Sequence, residues 1–216
     1  MRDELRVVLA DDHHFFREGL RDVLASEGMT VVGEAADAHG AVALARELAP
    51  DVVVIDLNMP DMSSVEAIRE IVAERPGAHI VVLTVSVDEN DVREALTAGA
   101  RGYLLKDART SEIAGAIRQT AADQGVVSGE VMRALVSQMP SNKQVSERKT
   151  YDARALTARE LDVLRLLAEG ADNAAIGESL SISKHTVKQY VTNILEKLEL
   201  QNRVQAAVYA VRTGVV

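Results

Sequence analysis

Asp11, Asp12 and Asp56 fall where a chain can use carboxylates for chemistry. The first two follow the apolar run "LRVVLA" at 5–10, and the third closes "DVVVID" at 51–56. A run with apolar residues on both faces suits a central parallel strand covered by helices above and below. The ligand crevice of such a sheet lies at the carboxyl ends of its strands, so the side chains are expected to converge at one rim. Crowded like charges repel and raise one another's pKa unless a cation offsets them. Hard divalent ions take oxygen ligands, which makes Mg2+ the expected ion. Thr84 ends a further strand and Lys106 another, adding a hydroxyl and an ammonium to the same crevice. The set suits a phosphoryl group: an aspartate can attack phosphorus, a divalent cation neutralises charge on the transferring oxygens, and a lysine supplies a point charge. Taken singly, each residue has a plainer reading, as a helix cap or a solvated charge. The case rests on their convergence.

The elements that must position them are legible over 1–122. Candidate strands are "LRVVLA" (5–10), "TVVGEA" (30–35), "DVVVID" (51–56), "HIVVLT" (79–84) and "GYLLK" (102–106). Helix-period segments alternate with them; in the first, Phe16, Leu20, Val23 and Leu24 form one apolar face. Gly28 and Gly99 follow two such helices where a left-handed cap is often needed. The order predicts an α/β doubly wound (βα)5 unit with a parallel five-stranded sheet. After 122, "GVVSGEVMRALVSQM" is a possible further helix and "PSNKQVSERKTYD" (140–152) is polar and aperiodic, so 123–152 reads as a linker. From "LTARELDVLRLLAEG" onward the pattern is helical, with Thr157 and Glu160 spaced as a capping box and Gly170 at the expected stop.

Totals exclude some functions. No cysteine occurs, which removes disulfides, thiolate metal ligands and cysteine nucleophiles. No run approaches the roughly 18 apolar residues of a membrane helix, and the first residues are too short an apolar stretch for a signal peptide, so a cytoplasmic protein without a membrane partner is expected. The net charge of −9 argues at first against nucleic acid. Its distribution does not: residues 1–122 hold 22 Asp+Glu and 12 Lys+Arg, leaving 11 and 12 for the rest. Acid belongs to the first part.

Through "ADDH", "IDLNMPDM", "LT" and "GYLLKD", residues 1–122 resemble the receiver domain of bacterial two-component response regulators. The resemblance implies that Asp56 accepts phosphate from a sensor histidine kinase's phosphohistidine. It implies that Asp11, Asp12, Asp56 and the main-chain carbonyl of Asn58 hold Mg2+, and that Lys106 contacts a phosphate oxygen. Thr84 and Tyr103 would be the switch pair, the hydroxyl turning toward the phosphate and the ring moving inward on phosphorylation. Where relatives commonly show "MPGMDG" this chain has "MPDMSS", and Val85 is bulkier than the small residue often found there. His13 and His14 are expected at a partly exposed helix start.

"SISKHTVKQYVTNILEKLEL" (181–200) carries a second signal. Val187, Val191, Ile194 and Leu198 form one apolar stripe, with His185, Lys188, Gln189 and Thr192 opposite. With "DNAAIGESL" before it and a tight "SIS" turn, the segment suggests a helix-turn-helix. Periodicity alone slightly favours a small helical bundle with a wet polar face. Residues 181–216 carry five Lys+Arg against Glu196 and Glu199, a basic stretch in an acidic chain. Residues 153–216 resemble the LuxR/NarL-type DNA-binding domain, a small all-α four-helix unit. By that resemblance 184–198 is the recognition helix: Lys188, Gln189 and Thr192 face base edges, while Lys184, Thr186, Asn193, Lys197 and Arg203 approach phosphates. The last helix offers Val204, Ala207, Val208 and Val211 as a stripe whose exposed edge is the expected dimer surface.

The combined expectation is a transcription regulator that joins phosphorylation at Asp56 to dimerisation and to binding of a double-stranded DNA operator, with two half-sites. A Mg2+-dependent phosphatase or phosphotransferase acting on small molecules is one rival; Asn58 stands where such an enzyme would need a second acidic group. A regulator working without phosphorylation is another, and the intact Asp11, Asp12, Asp56, Thr84 and Lys106 weigh against it.

Overall fold

A computed structural model describes residues 4–86, 88–128, 131, 156–200, 203–213 and 215. The chain divides into two compact units, the first ending at Val131. In the first, strands β1 (Leu5–Ala10), β2 (Met29–Ala35), β3 (Val52–Ile55), β4 (His79–Thr84), β5 (Gly102–Leu105) and β6 (Val126–Val127) alternate with helices. The helices are α1 (His14–Ser26), α2 (Ala38–Leu48), α3 (Ser64–Glu74), α4 (Glu89–Ala98) and α5 (Thr110–Ala121). All strands are parallel, in the order β2-β1-β3-β4-β5-β6.

The sheet therefore has six strands where five were expected. The extra one comes from the opening of the expected linker: Gly102 pairs with Val126 and Tyr103 with Val127. A two-residue strand carries no period to detect, and its valines had been assigned to a possible helix. Of that segment, Val131 is helical, and 129–130 and 132–139, with the polar segment 140–152, lie outside the described residues.

β3 is buried along its whole length, as its unbroken apolar run requires. Val7, Leu9, Val52, Val54, Val81, Leu83 and Leu104 pack with Leu20 and Leu24 of α1 and Ile113 and Ile117 of α5. The alternate residues Val53, Ile55, Ile80 and Val82 are equally buried and point to the other face, where α2, α3 and α4 bury Ala41, Ala45, Ile68, Ile71, Val92 and Ala95. Gly99 closes α4 at φ 116, and a Cβ there would stand 2.9 Å from Val72 Cγ2.

Register brings the strand ends level: Ala10 pairs with Ile55, Ile55 with Val82, and Thr84 with Leu105. Main-chain bonds extend past the strands, from Asp11 N to Ala35 O (3.1 Å), Asp56 N to Ala10 O (2.9 Å) and Lys106 N to Thr84 O (2.8 Å). The backbones of the site residues are thus part of the ladder.

The second unit contains α6 (Ala158–Ala168), α7 (Asn173–Leu180), α8 (Lys184–Lys197) and α9 (Arg203–Arg212). Val163, Leu164 and Leu167 of α6 meet Ile176, Val187, Ile194, Leu198, Ala206 and Ala210 in one core. The capping box at Thr157 and Glu160 is present, and Gly170 takes φ 85 after α6. Asp172 caps α7 by accepting from the N–H groups of Ala174 and Ala175. Among the described residues no helix is long and apolar enough to cross a membrane.

Candidate functional site

The level strand ends bring Asp11, Asp12 and Asp56 together, and His13 joins them. One ligand atom from each of the four lies within 4.8 Å of every other. Asp11 is 5% exposed and Asp56 2%, so their charges need compensation. Lys106 supplies it: Nζ stands 2.6 Å from Asp11 Oδ2 and 2.7 Å from Asp56 Oδ2, over the Phe16 ring at 4.9 Å from its centroid. Burial pulls the Lys106 pKa down, but the hydrogen bonds to Asp11 and Asp56 outweigh it and hold the ammonium above its ordinary value. Asp11 is steadied by the His13 N–H at 2.9 Å on Oδ1 and by the Arg17 guanidinium on its main-chain carbonyl. Asp12 Oδ1 lies 2.6 Å from His13 Nδ1. His13 stands at the expected helix start, and its reach to the acidic cluster follows from that cap position.

Thr84 is fully buried, and its Oγ1 accepts from Asn58 Nδ2 and from the Ser86 N–H, both at 3.2 Å. The Tyr103 ring is fully buried as well, with its hydroxyl donating to the Ser86 carbonyl at 3.1 Å. The ring expected to move inward on phosphorylation is thus already inside in this structure. Burial, with the charges of Asp91, Asp56 and Asp88, pushes the Tyr103 phenol well above its ordinary pKa. Ser86, which sequence reasoning passed over, bonds both members of the pair, a position no periodicity marks.

The "MPDMSS" departure has a definite geometry. Asp61 takes φ 84, a left-handed value costly for a side-chain-bearing residue. Its carboxylate accepts from the N–H groups of Ala38 and His39, both at 3.2 Å, and from His39 Nδ1, so it caps α2 from across the fold. Partial burial works against the ionised Asp61, but the bonds from His39, Met62 and Ala38 win and hold its carboxyl at about 2. The Asp61 bond raises the His39 pKa in turn. Ser64, in the second glycine position, buries a hydroxyl with no hydrogen-bond partner among the described residues. Val85, the bulky residue after Thr84, is 74% exposed.

In the second unit, Val187, Ile194 and Leu198 are fully buried, which turns Lys184, His185, Lys188, Gln189, Thr192 and Asn193 outward. Ser183 caps α8, its Oγ accepting from Thr186 N at 3.0 Å and contacting Thr186 Oγ1 at 2.8 Å. Gln189 Nε2 lies 3.5 Å from His185 Nε2 one turn back.

Other expected contacts change character. Arg203 is 9% exposed, with its guanidinium on Asn173 Oδ1 (3.0 Å) and the Ala171 carbonyl (2.8 Å). Burial lowers its pKa to about 10. It ties α9 to the start of α7, whereas it had been expected to approach phosphates. Lys197 Nζ bonds both carboxylate oxygens of Glu160, at 2.9 and 2.8 Å, and Glu160 is 2% exposed. The pair ties the exposed end of α8 to the start of α6. Of the expected dimer stripe, Val204 and Ala207 are buried, at 3% and 5% exposure, and Val208 is half-buried; the side chain of Val211 lies outside the described residues. It is Ala206 and Ala210, one position along from that stripe, that join the core formed with α6.

Comparisons with known proteins agree with this geometry. Residues 7–118 match the response regulator receiver domain, and residues 154–210 match the bacterial regulatory proteins of the luxR family. An uncharacterized transcriptional regulatory protein of Bacillus subtilis, YxjL, is 41% identical over 216 residues, covering 100% of this chain and 99% of its own. The nitrate/nitrite response regulator NarL of Escherichia coli K12 is 38% identical over 204 residues, covering 94% of this chain and 93% of its own. The crystal structure of the response regulator ChrA, from a heme-sensing two-component system, is 34% identical and superposes with a TM-score of 0.53 over 99% of both chains. A structure of RcsB dimers bound to DNA is 25% identical, with a TM-score of 0.56 over 97% of this chain and 99% of its own. A receiver pocket at the carboxyl ends of a parallel sheet, followed by a capped helix-turn-helix and matched along the whole chain, makes this protein a member of the DNA-binding response regulators of the LuxR type.

Proposed function

We propose that Asp56 is the phosphoacceptor of this regulator and that its phosphorylation controls operator binding by α8. The observation that carries the reading is the pairing of buried Asp56 with Lys106 beside Asp11 and Asp12. Asp56 Oδ2 is held by Lys106, while Oδ1 carries the longer 3.3 Å bond from the Asn58 N–H. Oδ1 is therefore the nucleophilic oxygen. It forms the O–P bond to a kinase's phosphohistidine as the P–N bond breaks, and the electron pair leaves with the histidine nitrogen. Lys106 is within reach to follow the new phosphoryl oxygen, and the Thr84 hydroxyl to donate to another.

The oxygen donors and their spacing suit a hard divalent cation, with Asp11, Asp12, Asp56 and the Asn58 carbonyl holding Mg2+. When bound it supplies positive charge to the transferring oxygens.

In the second unit Lys188, Gln189 and Thr192 read bases in the major groove, where Lys suits guanine and Gln suits adenine, while Lys184, Thr186 and Asn193 approach phosphates. The DNA-bound dimers of RcsB support a two-half-site operator and a homodimer as the active form. A sensor histidine kinase is the phosphate donor, and the chain acts in the cytoplasm. Acetyl phosphate with Mg2+ should label the wild-type chain and leave Asp56→Asn unlabelled, since an amide is no nucleophile. Labelling that survives in Asp56→Asn, or in chelator, would reject the assignment.

A further inference from the structure

Ser86 lies between the end of β4 and the start of α4 and bonds in four directions. Its N–H donates to Thr84 Oγ1 at 3.2 Å, and its carbonyl accepts from the Tyr103 hydroxyl at 3.1 Å. Its own hydroxyl donates to Asp91 Oδ2 at 2.6 Å and accepts from the Asp88 N–H at 3.2 Å. Asp88 caps α4 by accepting from Asn90 N, and Asp91 stands in the first turn of that helix. One residue thus touches the pocket hydroxyl, the buried ring and the helix that follows.

These bonds divide by origin. The links to Thr84 and Tyr103 use the Ser86 main chain, which any residue other than proline would supply for Thr84. The links to α4 use its hydroxyl alone. A hydroxyl donating to a carboxylate at 2.6 Å is short and charge-assisted, stronger than its neutral counterpart. Thr84 Oγ1 holds both Asn58 Nδ2 and the Ser86 N–H, so a turn of Thr84 about χ1 releases Ser86. Displacement of Ser86 then moves the acceptor of Tyr103 and the donor to Asp91 together.

We propose that Ser86 is a positioning residue that conveys the state of the phosphoryl pocket to the N-terminus of α4, through its hydroxyl bond to Asp91. The proposal rests on the reading of Asp56 as phosphoacceptor. A residue that merely stabilised the loop would protect α4 equally in both states of the pocket; a coupling residue makes the protection depend on the state.

The test compares full-length wild type, Ser86→Ala, Ser86→Thr, Asp91→Ala and Asp91→Asn, each with Mg2+ and with or without beryllofluoride. Binding at Asp56 is verified by fluorine NMR, and amide hydrogen exchange is followed in peptides spanning 86–98. In wild type, beryllofluoride should change exchange in these peptides. The change should be lost in Ser86→Ala and Asp91→Ala, and retained in Ser86→Thr and Asp91→Asn, which keep a hydroxyl and an acceptor oxygen. A wild-type-sized change in Ser86→Ala, or a uniform rise in exchange with the difference preserved, would overturn the proposal. So would a wild type that binds beryllofluoride without any response in α4. Failure of wild type to take beryllofluoride or acetyl phosphate at all would strike the phosphoacceptor reading instead.

Discussion

Lys106 Nζ stands 2.7 Å from Asp56 Oδ2, and the two side chains are 11% and 2% exposed. With Asp11 on its other side, one ammonium serves two buried carboxylates. On the proposed chemistry, those carboxylates would be shared between that ammonium and a divalent cation.

Lys106→Met should therefore cost about 3–5 kcal/mol of stability without metal, because it leaves two buried charges unpaired. Mg2+ should restore more stability to the variant than it adds to wild type. Urea unfolding with and without Mg2+ measures both, and an equal Mg2+ increment in the two proteins would show that the lysine and the cation do not share the carboxylates.

The His39–Asp61 tie sets a pH window. Asp61 is held at about 2, below its usual 3.8, so its contribution is present above 3.8 and lost as pH falls through about 2. His39 is raised above 6.5, so its contribution is complete below 6.5 and disappears as pH rises through the folded value. Asp37 and Glu70 also face His39 and add to the same direction. The stability difference between wild type and His39→Gln should be greatest between pH 3.8 and 6.5 and vanish in alkaline solution. A difference constant with pH would mean that His39 acts by packing alone.

Two lysines on α8 should behave differently. Lys188→Ala should lose about 1–3 kcal/mol of discrimination at one operator position. Lys197→Ala should leave the salt dependence of DNA binding unchanged and instead lower the stability of its unit by about 1–2 kcal/mol, through the buried Glu160 it deserts. A salt slope that drops by about one on removing Lys197 would return it to the phosphates.

Gly177 sits in α7 where an added Cβ would lie 2.7 Å from the Ile182 carbonyl oxygen. That oxygen belongs to the turn entering α8, so Gly177→Ala should open the turn. Operator affinity and thermal stability should fall together, with circular dichroism still reporting a folded receiver. Unchanged operator affinity would show that α8 tolerates the shift.

The sequence disclosed most of this architecture because its strands are apolar throughout and end on chemistry-bearing residues. β1 and β4 have the expected limits, and the strand-end carboxylates meet as expected since parallel register levels Ala10, Ile55 and Val82. β6 escaped because two valines have no periodicity. Asp61 was noticed as a departure, but its role as a cap on α2 depends on a long-range meeting with Ala38 and His39. The resemblance puts Arg203 and Lys197 near phosphates, and no local pattern shows their partners inside the unit, because Asn173 and Glu160 are 30 and 37 positions away.

β6 also has a mechanical meaning. Its valines cover the outer rim of β5, which would otherwise offer unpaired backbone to other strands. The next main-chain bond, from Ser128 N–H, ends on the carbonyl of Tyr103 at 3.0 Å. Force at Ser128 would load that bond and peel the short strand from its C-terminal end. Tyr103 is thus held at one end by Ser86 through its phenol and at the other by the outgoing chain through its backbone. A pull on Ser128 is therefore felt at Tyr103.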